Sequence, residues 1–251
     1  MTASRYVEAP NFSQAWLEAV RLVHAIPSRK AVHLVLRAAD ASQQDEAVRR
    51  IAQAAIDSNN SAGRLWSVES TRNTIFPAAW ARRNPEPSDL AAYYRARYKE
   101  LRQVRDNGYG TYFGRIVAYP RDDKHNGAYG DQLTELVRKI RQELAGRGGV
   151  KSSRYEVNIF SERHDTNPMS FPCLAHVSFH IHDGKLHQQA VYRNELLVAR
   201  AYGNYWGLAQ LQTYVAQACP PLQVGELLIT VNHVELDGRK GAIDELLPPA
   251  R

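Results

Sequence analysis

Between Cys173 and Asn204 the sequence sets out a thiol, a fixed cation and an amide: Pro172-Cys173, a strand-like run, an Asp183-Gly184-Lys185-Leu186 turn, then Arg193 and Asn204. A Cys thiolate adds to an electron-poor ring carbon. An Arg fork holds a phosphate through paired hydrogen bonds. An Asn side chain carries both a donor and an acceptor, so it can read the adjacent carbonyl and N–H of a pyrimidine. Together these groups suit covalent chemistry on a nucleotide base. Each also has a plainer role: Cys173 as a small buried filler, Arg193 and Arg154 as strand-edge charges in water, and Asn204 as a helix N-cap. Arg193 is the nearest candidate for lowering the pKa of the Cys173 thiol. Cys219, in Ala218-Cys219-Pro220, reads as structural.

Two further groups are chemically suggestive. His176, His180 and His182 share one strand face by period-two parity, and histidines at that spacing can bind zinc. No carboxylate or thiol joins them in a clear motif, so solvated or interface histidines are expected and no metal is assigned. Tyr93, Tyr94, Arg95, Arg97, Tyr98, Lys99, Arg102 and Arg105 interleave aromatics with cations, as nucleic-acid clamps do. The preferred reading is an amphipathic helix with Leu90, Tyr94, Tyr98 and Leu101 inward and the cations in solvent.

The elements that must position these groups follow from periodicity and punctuation. Asn11 opens a helix whose apolar positions Trp16, Ala19, Val20 and Val23 recur at helical spacing. Residues 31–37 read as a strand, and residues 44–57 as a helix with Ala47, Ile51, Ala54 and Ala55 on one face. Ser88-Asp89 is expected to cap a helix running to about Asp106. Asp131 is expected to open another, striped by Leu133, Leu136, Val137, Ile140 and Leu144 and ended by Gly146, Gly148 and Gly149. Strands are expected at about 154–160, 174–182 and 185–193, with Asp183-Gly184 as the hairpin turn joining the last two. A helix at about 204–218 and a strand at about 225–234 complete an α+β domain.

Hydrophobic residues make up 44% and charged residues 23% of the 251 positions, a balance that supports a sizeable core and argues against disorder. No apolar run approaches membrane-spanning length, and Met1-Thr2-Ala3-Ser4-Arg5-Tyr6 lacks the apolar core of a signal peptide. Two cysteines make no disulfide framework, so a cytoplasmic location is the default expectation. The net charge of +6 favours anionic partners. Because the basic residues are spread along the chain, a phosphorylated metabolite fits at least as well as a nucleic acid.

The segment from Cys173 to Asn204 resembles thymidylate synthases and the related deoxycytidylate (dCMP) hydroxymethylases. Pro172-Cys173, Asp183-Gly184-Lys185-Leu186, Arg193-Asn194 and Asn204 stand at the family's spacings without a gap. Ser152-Ser153-Arg154, Gly110-Thr111-Tyr112-Phe113-Gly114 and the stretch from Leu65-Trp66 through Asn73, Thr74-Ile75 and Trp80 are similar to its upstream segments, in the same order. The likeness covers about residues 60–235. It implies one thymidylate synthase-like domain over residues 1–251, with a twisted mixed, largely antiparallel sheet and helices packed on one face. It also implies a homodimer formed sheet to sheet.

The chemistry it implies is attack of Cys173 on C6 of a pyrimidine nucleotide monophosphate, making C5 nucleophilic toward a one-carbon unit carried by methylenetetrahydrofolate. Arg193 would hold the phosphate together with Arg154 of the partner subunit, and Asn204 would read the base. Several family positions differ. The catalytic Glu falls at Gly63, the active-site Tyr at Phe113, the His after the Cys at Leu174, and the folate-contacting Asp at Leu196. The sugar-contacting His-x-Tyr falls near Glu235 and Asp237, and Arg29 is the candidate in the N-terminal phosphate loop. The chain reaches Arg251 without the segment that closes over folate in the family. Proton relays and folate contacts are therefore more altered than nucleotide contacts. A catalytically degenerate homologue that binds a nucleotide, as a sensor or as a partner subunit, is the alternative expectation.

Overall fold

A computed structural model of the chain describes residues 5–63, 65–104, 107–108, 110–119, 130–146, 149–167 and 171–247. Arg105, Asp106 and Gly148, which the sequence assigns to a helix end and a helix stop, lie outside the described residues, as does Arg251.

The chain combines strands with helices. In order these are β1 (Tyr6–Ala9), α1 (Phe12–His24), β2 (Lys30–Ala38), α2 (Glu46–Asn59), α3 (Val68–Ile75), α4 (Ala78–Ala81), α5 (Pro87–Leu101), α6 (Tyr112–Val117) and α7 (Gln132–Ala145). There follow a 3-10 turn (Ser152–Arg154), β3 (Glu156–Asn158), β4 (Leu174–His182), β5 (Lys185–Tyr192), β6 (Glu195–Leu196), a π-helical turn (Leu197–Ala201), α8 (Tyr202–Ala218), β7 (Gln223–Glu235) and α9 (Lys240–Asp244). Seven strands form one mixed sheet in the order β1-β2-β7-β5-β4-β3, with β6 added beside β7.

β2–β7, β4–β5 and β3–β4 run antiparallel, whereas β1–β2, β5–β7 and β6–β7 run parallel. The sheet is therefore evenly mixed rather than largely antiparallel. The difference arises because α8 is a crossover helix, returning the chain from β5 to a parallel neighbour. β1 and β6, two short strands not anticipated from the sequence, add the other two parallel pairings.

Burial alternates as a one-sided sheet requires. Leu186, Gln188, Ala190 and Tyr192 are buried on β5, and Leu227, Ile229, Val231 and Val234 on β7, while their intervening neighbours are half-buried or exposed. Helices α1, α7 and α8 pack on the buried face. The opposite face carries Ser178, Gln189 and Thr230, which are half-buried or exposed.

Local signals explain most boundaries. Asn11 caps α1 by accepting from the Gln14 amide at 3.0 Å, Asp45 caps α2, and Asp131 caps α7 by accepting from the Thr134 amide at 3.0 Å. Asp183 and Gly184 both take positive φ, 48° and 71°, which is the backbone of a two-residue hairpin turn. α5 departs from expectation: it starts at Pro87 rather than after a Ser88-Asp89 cap, and Glu86 makes no side-chain cap. Pro87 suits the first turn because the amide it lacks has no intrahelical partner there. Leu90 and Tyr94 are buried and Tyr98 and Leu101 half-buried. Several cations of α5 are engaged: Arg95 pairs with Asp131, and Arg97 lies over the Tyr93 ring.

Two glycines set the closest helix contact. A Cβ on Gly203 would meet Thr71 Cβ at 2.6 Å, and one on Gly207 would meet Ile75 Cβ at 2.7 Å and the Arg72 carbonyl at 2.9 Å. Backbone atoms cannot yield as a flexible side-chain tip does. Gly207→Ala is therefore expected to cost about 1–3 kcal/mol, read as a lower urea midpoint with an unchanged slope. A neutral result would show that α3 and α8 part freely.

Candidate active site

The end of β5, the start of β4, α3, α6 and the turn into α8 enclose a cavity of about 280 Å³, at the small end of the range for ligand sites. Cys173 and Asn204 both line it, together with Trp66, Thr71, Thr74, Tyr112, Glu195 and Arg200. A larger cavity of about 750 Å³ beside α4 and α8 holds Arg82, Arg141 and Trp206 but neither cysteine.

Cys173 sits just before β4, tied to the end of β5 by an Arg193 amide bond to its carbonyl at 2.9 Å. The thiol is partly accessible. Burial pushes its pKa up and Glu195 adds to the rise, while Arg193 and Arg200 pull it back. A bulge between Leu174 and His176 shifts the strand's parity next to the thiol.

Asn204 is 3% exposed. It is not the N-cap of α8, because the π-helical turn precedes it and α8 begins at Tyr202. Its Nδ2 donates instead to Glu195 Oε1 at 2.9 Å. Other groups hold that turn in place: Trp16 Nε1 donates to the Leu197 carbonyl at 2.8 Å, and Asp237 accepts from the Val198 and Ala199 amides at 2.8 and 3.1 Å. Such π-turns occur frequently at functional sites, and this one carries Arg200 into the cavity, 4.2 Å above the Trp66 ring.

Arg193 is not among the residues lining the cavity. Its Nε and Nη2 donate to the Pro172 and Phe171 carbonyls at 3.1 and 2.9 Å, and its guanidinium stacks on the Phe171 ring. It shapes the wall next to Cys173. Arg154 lies on the 3-10 turn, pairs with Glu143 at 3.0 Å and is half-exposed. Within one chain it does not meet the other three residues.

Glu195, which carries no motif signal in the sequence, also lines the cavity. This carboxyl is 2% exposed, and burial pushes its pKa up to about 8, against the lowering effect of the Asn204 bond. Its Oε2 and the hydroxyls of fully buried Tyr192 and Tyr205 have no hydrogen-bond partner among the described residues. The sequence offered one sign of it, an acid placed directly before the apolar run Leu196-Leu197-Val198-Ala199.

Tyr112 is likewise not singled out by the sequence. Phe113, the position compared with the family's Tyr, is fully buried against Phe76 and Tyr94. Its neighbour Tyr112 puts a phenol into the cavity, with its pKa raised by burial and by the nearby Cys173 and Glu195. Arg115 lines the cavity but is neutralised by a two-pronged pair with buried Asp165 at 2.8 and 2.6 Å. Leu196 lines it as well. Leu174 is fully buried, and Gly63 occupies a turn with positive φ.

Three other positions serve structure. Arg29 donates to the Gly238 carbonyl, Glu235 pairs with Lys30, and Asp237 holds the π-turn. His176 contacts Glu156 and Asn158. Among the described residues no group of three or more His, Cys, Asp or Glu is placed to hold a metal ion. No helix among them is long and apolar enough to cross a membrane. No protein-family model matches the chain, and no curated protein matches it.

Proposed function

We propose that this protein acts at C5 of a pyrimidine nucleotide monophosphate by adding Cys173 to C6, in the manner of thymidylate synthases and deoxycytidylate hydroxymethylases. The observation that carries the reading is one cavity lined by a thiol, a buried amide and a cation: Cys173, Asn204 and Arg200. Asn204 keeps its Oδ1 and one Nδ2 hydrogen for a base edge after bonding Glu195. Arg200 would hold the phosphate, with Arg193 fixing the wall next to Cys173 and Arg154 of the partner subunit completing the site in a homodimer. The sheet face carrying Ser178, Gln189 and Thr230 is the surface on which that dimer would form. A third cavity of about 450 Å³ shares Trp66, Thr74 and Thr111 with the first and adds Trp80 and Tyr94. It gives a one-carbon donor such as methylenetetrahydrofolate an aromatic wall beside the base.

One observation favours the nucleotide-binding, catalytically degenerate alternative. The thiol is raised rather than lowered by its surroundings, so little thiolate is present at neutral pH.

Calorimetry with uridylate, deoxyuridylate, cytidylate and deoxycytidylate tests the pocket that both readings share. At least one nucleotide is expected to bind. Arg200→Ala should weaken it about tenfold or more, as loss of a charged hydrogen bond does. Failure of all four to bind would remove both readings. Light scattering should give twice the chain mass, and a monomer at micromolar concentration would remove the role given to Arg154.

A further inference from the structure

Resting on the reading above, we propose that Glu195 is the general acid of this site, protonating the ring acceptor at C4 or N3 as Cys173 bonds to C6. Four observations support it independently of any family pattern. Glu195 lines the same cavity as Cys173, although it follows β5 and belongs to the short β6 strand. Asn204 engages only Oε1, at 2.9 Å, and leaves Oε2 buried without a partner. Charge on Glu195 raises the phenols of Tyr192 and Tyr205, and both hydroxyls are buried without a partner among the described residues. Buried polar groups are almost always paired, so this concentration of unused hydrogen-bonding capacity beside a nucleophile points to a ligand or a proton path. The group also holds its proton at neutral pH, as a donor must.

The proton balance closes within the site. As Sγ bonds to C6, the C5–C6 electron pair shifts toward the ring acceptor. Glu195 gives that acceptor its proton and is reprotonated by the one the thiol loses. The ring gains one proton, the thiol loses one, and Glu195 ends as it began. C5 is then nucleophilic, and protonation there followed by reversal of the steps exchanges the original C5 hydrogen with water.

The test compares wild type with Glu195→Gln, which keeps an acceptor for Asn204 but no transferable proton. Tritium release from 5-tritiated uridylate, deoxyuridylate, cytidylate and deoxycytidylate is followed between pH 6 and 9, with nucleotide affinity measured calorimetrically on both proteins. Affinity is expected to change less than threefold while release falls on the order of 100-fold. The decline of wild-type release above about pH 8 should vanish in the variant, an effect that a purely structural role would not produce. Glu195→Asp should recover part of the rate. Release by Glu195→Gln at the wild-type rate and with the wild-type pH profile would overturn the assignment alone. A wild type that binds nucleotide but releases no tritium would overturn the addition chemistry and the Glu195 assignment with it.

Discussion

Cys173→Ala is expected to bind the preferred nucleotide within about twofold of wild type while its release of the C5 hydrogen drops below detection. The thiol is the only nucleophile among the residues lining the cavity that can form a stable adduct with a ring carbon, and removing a nucleophile from a working site costs roughly 10⁴-fold or more in rate. Affinity should survive because Arg200 and Asn204, not Cys173, supply the polar contacts to the ligand. Stability should change little, since a half-buried Cys→Ala leaves a small gap with access to solvent. Equal release by variant and wild type would show that the C5 chemistry, where present, does not pass through Cys173.

The second large effect concerns stability and pH. Glu195 titrates near 8 in the folded chain, against 4.5 for an ordinary glutamate. Between those values the folded state keeps a proton that the unfolded state has lost, so stability falls as pH rises. The contribution is fully present below about pH 4.5 and is lost as pH climbs through about 8, at roughly 1.4 kcal/mol per pH unit within the window. Summed over the window the loss is several kcal/mol, a large share of a domain's total stability. Glu195→Gln cannot ionise and should lose this component. Asp237 is shifted in the same direction by burial, so some slope will remain. Urea unfolding at pH 5, 6, 7 and 8 gives the comparison: the variant should be much less pH-dependent and more stable than wild type at pH 8. Identical slopes would mean that Glu195 is solvated, and its place as a buried proton donor would be lost.

Elements dictated by short-range chemistry were legible in the sequence. Asn11 and Asp131 cap helices because each side chain reaches the amide three residues on, and the Asp183-Gly184 turn lies where two strands meet. Features set by tertiary context were not. The parallel pairing of β5 with β7 depends on where α8 packs, and the π-turn before α8 depends on Trp16 and Asp237, far away in sequence.

The site shows the same division. The spacing from Cys173 to Asn204 places two residues that do share a cavity. Arg193, at matching spacing, turns toward the Phe171 and Pro172 carbonyls, an orientation that spacing does not encode. Tyr112 and Phe113 are adjacent, and only helix phase decides that the phenol faces the cavity while the phenyl faces the core. Glu195 is visible as an acid beside an apolar run, but its burial goes with the pairing of β6 to the end of β7 inside the sheet. Gly63 stands where the family carries its Glu, and the acid that lines this cavity, Glu195, comes from a different element of the fold.

Tritium release from the four 5-tritiated nucleotides, measured with wild-type protein, is the decisive measurement, because exchange at C5 requires prior addition at C6. Release is expected from at least one nucleotide, saturable in nucleotide and abolished by Cys173→Ala. A protein that binds a pyrimidine nucleotide tightly yet leaves its C5 tritium in place at every pH from 6 to 9 would contradict the proposed addition.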